Sequence, residues 1–156
     1  GLEKWKKKNF PITEDHTKLK MTNYKAYENK FMVKNLDEID QNIENKVFSL
    51  VDARSKDRFE GKTKEPREGV RSGSIKNSIC IPFNNVIKDD KTFKDKEELK
   101  IIFNNINSDI GNNNVVFSCG SGITSCVLAL AYSLINNNYN PTIYDGSWAE
   151  YGKIFK

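Results

Sequence analysis

The 156-residue sequence has one histidine and three cysteines, and no apolar run in it approaches the ~18 residues of a membrane-spanning helix. Each scarcity removes a class of function. His16 stands alone in a polar stretch, so this chain is not expected to build a Ser–His or Cys–His catalytic pair. Cys80, Cys119 and Cys126 are few, odd in number and not spaced as zinc ligands. A disulfide framework, a metal site and a cofactor are therefore not expected. A reducing compartment is, the cytoplasm first and the mitochondrion second. No secretory signal stands at the start, which is Gly1 and not Met, so a piece of a longer protein is expected.

Arginine is scarce as well. Lysine and arginine together number 25, yet the arginines are only Arg54, Arg58, Arg67 and Arg71, all between positions 54 and 71. Lysine serves solubility, whereas a planar fork that grips a carboxylate or a sulfur oxyanion calls for arginine. The net charge of +4 is mild. Lys6-Lys7-Lys8 is the only tight basic run and reads as solvated surface. No basic stripe is interleaved with aromatics, so neither nucleic acid nor membrane is an expected partner.

What is present reads as one α/β domain of ordinary size. Residues 1–12 suggest a short amphipathic helix ending before Pro11, with Leu2 and Trp5 on one face. Residues 13–30 read as a linker. Leu36, Ile39 and Ile43 form one helical stripe. Val47–Val51, Ile79–Pro82, Val115–Ser118 and Thr142–Tyr144 read as short strands, the first apolar and β-branched enough to be buried in a parallel sheet and the second stopped by its proline. Residues 54–74 form a loop with at most a short helix, and Asn112-Asn113-Asn114 a turn. Helices are expected over 94–107 and 123–136, the second apolar enough to be largely buried, and a last one follows Ser147. Strands alternating with helices imply a mainly parallel central sheet flanked by helices on both faces.

The strand-Cys119-Gly120-Ser121-Gly122-helix unit carries the chemistry. In an open α/β sheet, ligands bind beyond the carboxyl ends of the strands. Two glycines let the loop curl and turn its N–H groups inward, and the following helix adds free N–H groups and a positive dipole end. This field favours a thiolate, and equally a persulfide anion, without a histidine base. Cys80 and Cys126, inside a strand and on the expected buried helix, read as core residues. A Cys-loop phosphatase needs arginine where this sequence has Ser125, so phosphoryl transfer is rejected.

Cys119-Gly120-Ser121-Gly122-Ile123-Thr124 resembles the active loop of the 3-mercaptopyruvate sulfurtransferases, members of the rhodanese superfamily. Val51-Asp52-Ala53-Arg54, Asp57–Gly61, Glu65–Gly69, Ile81-Pro82-Phe83 and Tyr144–Trp148 resemble the second domain of that family, in family order. Gly1–Trp5 resembles the close of a preceding rhodanese domain. The resemblance implies three parts: residues 1–12 ending that first domain, 13–30 as linker, and 31–156 as a C-terminal catalytic rhodanese domain. It implies that Cys119 takes sulfur from 3-mercaptopyruvate, releases pyruvate, and passes the sulfur from a persulfide to cyanide or to a thiol such as thioredoxin. By the same resemblance Arg58 and Arg67 hold the substrate's carboxylate and keto oxygen, and Ser121 assists proton transfer or polarises the leaving group. Gly120, Gly122, Ile123 and Thr124 shape the loop, and Arg54 and Arg71 make structural ion pairs.

Two departures stand out. The family's usual Gly-His-Ile-Pro-Gly runs here as Gly73-Ser74-Ile75-Lys76-Asn77, and the family's assisting acidic residue and histidine belong to a first domain not in this chain. A thiosulfate sulfurtransferase is the near alternative, but such loops tend to carry cations, as in Cys-Arg-Lys-Gly, where this one has neutral Gly120 and Ser121. A non-catalytic rhodanese-like binding module and a sulfur-relay subunit are the others.

Overall fold

The structure, a computed structural model, describes residues 1–106 and 114–153. The turn expected at 112–114 lies outside the described residues, Asn114 apart, and the helix expected over 94–107 is shorter, running over Lys96–Phe103 and giving way to a turn at Asn104. The strands are β1 (Val33–Lys34), β2 (Ser49–Asp52), β3 (Ile79–Cys80), β4 (Val115–Ser118) and β5 (Ile143–Tyr144). They form one sheet in the order β1-β5-β4-β2-β3, and every pairing is parallel. The expected mainly parallel sheet is thus present, with one more strand than the four expected. β1 pairs only through Val33 and Lys34 with Ile143 and Tyr144.

The helices are α1 (Leu2–Lys7), α2 (Leu36–Asn45), α3 (Lys56–Phe59), α4 (Lys96–Phe103), α5 (Ile123–Ser133) and α6 (Ser147–Tyr151). α2 and α4 start on reciprocal capping boxes, Asn35 with Glu38 and Asp95 with Glu98, each satisfying two backbone donors at the helix start. Alternate strand residues feed two cores. Val51, Val115 and Phe117 pack with Leu99 and Phe103 of α4 and Leu128 and Tyr132 of α5. Leu50 and Val116 face the other way, onto Ile39 of α2 and Trp148 of α6. Helices therefore cover both sheet faces, as a sheet buried on both sides requires.

Three expectations need correction. α5 is not largely buried: Ile123 is 74% and Leu130 51% exposed, and Cys126 is exposed too. An apolar helix lying on a sheet buries one side only, and none of the described residues covers these positions on the other. α1 is shorter than expected and buries no residue; Trp5 packs edge-on against Phe10 and donates its indole N–H to Pro11 O. Residues 10–29 carry no regular structure and are exposed. Third, Arg71 makes no ion pair among the described residues. It stacks on the Trp148 and Tyr151 rings.

Arg54, by contrast, is an ion-pair centre at the carboxyl end of β2. Its guanidinium donates to Asp52 Oδ2 at 2.6 Å, Glu65 Oε1 at 3.0 Å and Gly73 O at 2.8 Å, and all three charged side chains are buried. This ties the loop after β2 to the sheet. Removing one member of a buried ion network leaves uncompensated charge, at a cost of about 3–5 kcal/mol. Arg54→Met should lower the unfolding free energy in urea by about that amount; a midpoint equal to that of the unsubstituted chain would contradict the assignment.

Candidate active site

Cys119 leaves the end of β4 and is buried. The next three residues form a tight loop, and Gly122 opens α5 in the left-handed conformation at φ +79°. A Cβ at 122 would lie 2.5 Å from Asp145 Oδ1 and 2.9 Å from Asp145 O, so both the backbone angle and the space require glycine. No side chain caps the start of α5. Its first-turn donors are therefore open to the sulfur.

Ser121 N–H donates to Cys119 Sγ at 3.4 Å, and Ser125 Oγ lies 3.8 Å from the same sulfur while donating to Gly122 O at 2.7 Å. Burial pushes the thiol up. Against it act the Thr124 hydroxyl, the Ser121 and Ser125 N–H groups and the Ser125 hydroxyl, which together bring Cys119 down to about 7. Cys80 shows the opposite balance. Burial and the Asp52 carboxylate push it up to about 11, and its Sγ faces Arg54 O at 3.6 Å. The two thiols share a fold and differ by what faces them: N–H and O–H donors at Cys119, a carbonyl and a carboxylate at Cys80.

The arginines meet above this loop. A Cβ at Gly120 would sit 3.2 Å from Arg58 Nη2 and 3.7 Å from Arg67 Nη1, so both guanidiniums converge on the peptide next to Cys119. Glycine at 120 is what allows that approach. Arg58 is itself held: its Nη2 donates to Glu65 Oε2 at 2.5 Å and its Nε to Glu65 Oε1 at 3.2 Å. Glu65, buried, thus bridges Arg54 and Arg58. Arg67 is exposed.

The structure brings together Cys119, Gly120, Ser121, Gly122, Thr124, Arg58 and Arg67. Ser121 reaches the sulfur through its N–H. Ile123 is not brought in, since its side chain points to solvent. Sequence reasoning missed Glu65, Ser125, Asp145 and Ser147. Glu65 stands between two arginines already singled out, and Ser125 lies in the first turn of the helix that follows the Cys119 loop; those were usable signals. Asp145 and Ser147 lie in the Tyr144–Trp148 stretch that resembles the family, but nothing in it points to the Cys119 loop, because only the tertiary fold carries them there. Among the described residues, no group of His, Cys, Asp and Glu is placed to hold a metal ion, and no helix is long and apolar enough to cross a membrane.

A family model for the rhodanese-like domain matches residues 35–153. The chain is 32% identical to the 3-mercaptopyruvate sulfurtransferase of Homo sapiens, over 97% of this chain and 50% of that protein. It is 34% identical to the thiosulfate sulfurtransferase of Bos taurus, over the same shares of the two chains. Among solved structures it resembles SseA from Escherichia coli, described with the 3-mercaptopyruvate sulfotransferases, at 25% identity and TM-score 0.75, over 95% of this chain and 54% of that one. The chain spans about half the length of the curated relatives it matches.

Gly122→Ala tests the loop geometry directly. The clash with Asp145 forces the loop open and takes the N–H donors off the sulfur. In a Cys126→Ser background, iodoacetamide at pH 7 should alkylate Cys119 at least about tenfold more slowly in the Gly122→Ala variant, the thiolate being the reactive form. An equal rate would show that the loop shape does not matter to this thiol.

Proposed function

The chain belongs to the rhodanese-like domain family, and on that premise we propose that it is the sulfur-carrying domain of a sulfurtransferase whose donor is 3-mercaptopyruvate. The observation that carries this reading is the pairing of one donor-lined cysteine with two guanidiniums above its loop. The Cys119 thiolate attacks the mercapto sulfur. The carbon–sulfur bond breaks, and its electron pair goes to carbon as the enolate of pyruvate. The proton of the donor's thiol ends on that carbon, so pyruvate leaves and Cys–S–S⁻ remains. The N–H donors that stabilised the thiolate are placed to stabilise the persulfide anion. Arg67 and Arg58 hold the carboxylate and keto oxygen, and Ser121 lies at the reacting end of the loop. An acceptor thiol, such as that of thioredoxin, or cyanide then removes the outer sulfur.

The charge around the loop supports a mono-anionic donor. Glu65 offsets Arg58, and Gly120 and Ser121 add no cation, so Arg67 is the less compensated of the two arginines. A dianion such as thiosulfate asks for more positive charge at the sulfur. The curated relatives include proteins named for either donor. We further propose that a preceding rhodanese domain partners this one, as the length of those relatives and the exposed apolar residues of 10–33 suggest.

Incubation with 3-mercaptopyruvate should add one sulfur atom to the mass of the chain, and Cys119→Ser should abolish the gain. A charge-assisted hydrogen bond contributes about 1.5–3 kcal/mol, so Arg67→Gln should raise KM for 3-mercaptopyruvate by roughly ten- to a hundredfold. A higher kcat/KM for thiosulfate than for 3-mercaptopyruvate would overturn the choice of donor. Sulfur found on Cys80 or Cys126 instead would overturn the site.

A further inference from the structure

The donors that face Cys119 face it for a reason located outside the loop. Trp148 N–H donates to Cys119 O at 3.0 Å, and Ala149 N–H to Gly120 O at 3.0 Å. A trans peptide is planar, with its N–H opposite its C=O. Drawing Gly120 O towards α6 therefore turns Ser121 N–H the other way, towards the Cys119 sulfur. The remaining two anchors fall on one side chain. Ser147 Oγ accepts from Cys119 N–H at 3.1 Å and from Gly122 N–H at 3.1 Å, and it donates to Tyr144 O at 2.8 Å. A hydroxyl has one proton and two lone pairs, so all three are in use. Ser147 Oγ lies 3.9 Å from Cys119 Sγ, but its proton goes to the nearer carbonyl.

Ser147 is fully buried and sits at φ +50°, a region that a non-glycine residue occupies only when its surroundings hold it there. In this conformation its hydroxyl meets the N–H groups of the loop. Glycine would accept this angle at less cost but would leave two buried N–H groups without an acceptor.

We propose that Ser147 is a positioning residue for the sulfur chemistry: its hydroxyl pins the first and last N–H of the Cys119–Gly122 loop, so that Ser121 N–H and the start of α5 are aimed at the sulfur. It moves no proton and does not touch the donor molecule. The inference rests on Cys119 being the reactive thiol, and its test does not depend on sulfur transfer.

The test uses Ser147→Gly and Ser147→Ala, each with Cys126→Ser. Glycine accepts the backbone angle and removes the hydroxymethyl group, and alanine removes the hydroxyl alone, so glycine separates positioning from folding even where alanine fails to fold. The pH dependence of Cys119 alkylation in the parent should have its midpoint near 7. In Ser147→Gly the midpoint should rise towards that of an ordinary cysteine, ~8.5, leaving reactivity at pH 7 several-fold lower. With 3-mercaptopyruvate as donor, kcat should fall by a similar factor while KM stays unchanged, because the arginines are untouched. A Ser147→Gly variant that titrates with the parent overturns the proposal, whatever its thermal stability. A raised midpoint in a chain that transfers no sulfur upholds it, while counting against the sulfurtransferase reading.

Discussion

The site depends on one constraint: four peptide groups of the Cys119–Gly122 loop have their dipoles oriented by α6 before any substrate arrives. Two of its amides take the loop's carbonyls, and one buried hydroxyl takes two of its N–H groups. What remains unclaimed in the loop and the first turn of α5 faces the sulfur. No histidine and no metal is needed for the thiol to ionise, because fixed dipoles do what a charged neighbour does elsewhere. The Asp145-Gly146-Ser147 turn, far from Cys119 in sequence, is therefore as much a part of the site as the loop itself.

Around this centre the arginines divide their work. Arg54 is consumed by Asp52, Glu65 and Gly73 O, and stacks on Trp148, so it braces the loop after β2 and the helix that orients the cysteine. Arg71 also stacks on Trp148, 4.8 Å from the ring centroid. Arg58 is shared between Glu65 and the space above Gly120, and Arg67 reaches the same space from solvent. Two arginines thus hold the scaffold and two face the loop. A lysine in their place would lack the planar fork that binds a carboxylate and stacks on a ring at once.

Much of this was legible in the sequence, for physical reasons. Val115–Ser118 stood out because an apolar run followed by a glycine loop and a helix is a local signal. Arg58 and Arg67 stood out because a lysine-rich chain keeps arginine where geometry demands it. β1 did not, since two residues have no periodicity and Val33–Lys34 becomes a strand only by pairing with β5. The exposed side of α5, with Ile123, Cys126 and Leu130, is not legible because a mostly apolar helix looks the same in sequence whether its outer face is covered or bare. Ser147 was legible only as a turn residue; its contact with Cys119 exists because the parallel sheet sets the ends of β4 and β5 side by side.

The central claim is that oriented N–H and O–H donors, with no charged neighbour, keep negative charge on one buried sulfur near neutral pH. The direct measurement is an NMR titration of the chain carrying ¹³Cβ-labelled cysteine, following the Cys119 signal across the pH range. A transition with its midpoint close to 7 is the result expected. A midpoint at or above the ~8.5 of an unperturbed cysteine would contradict it.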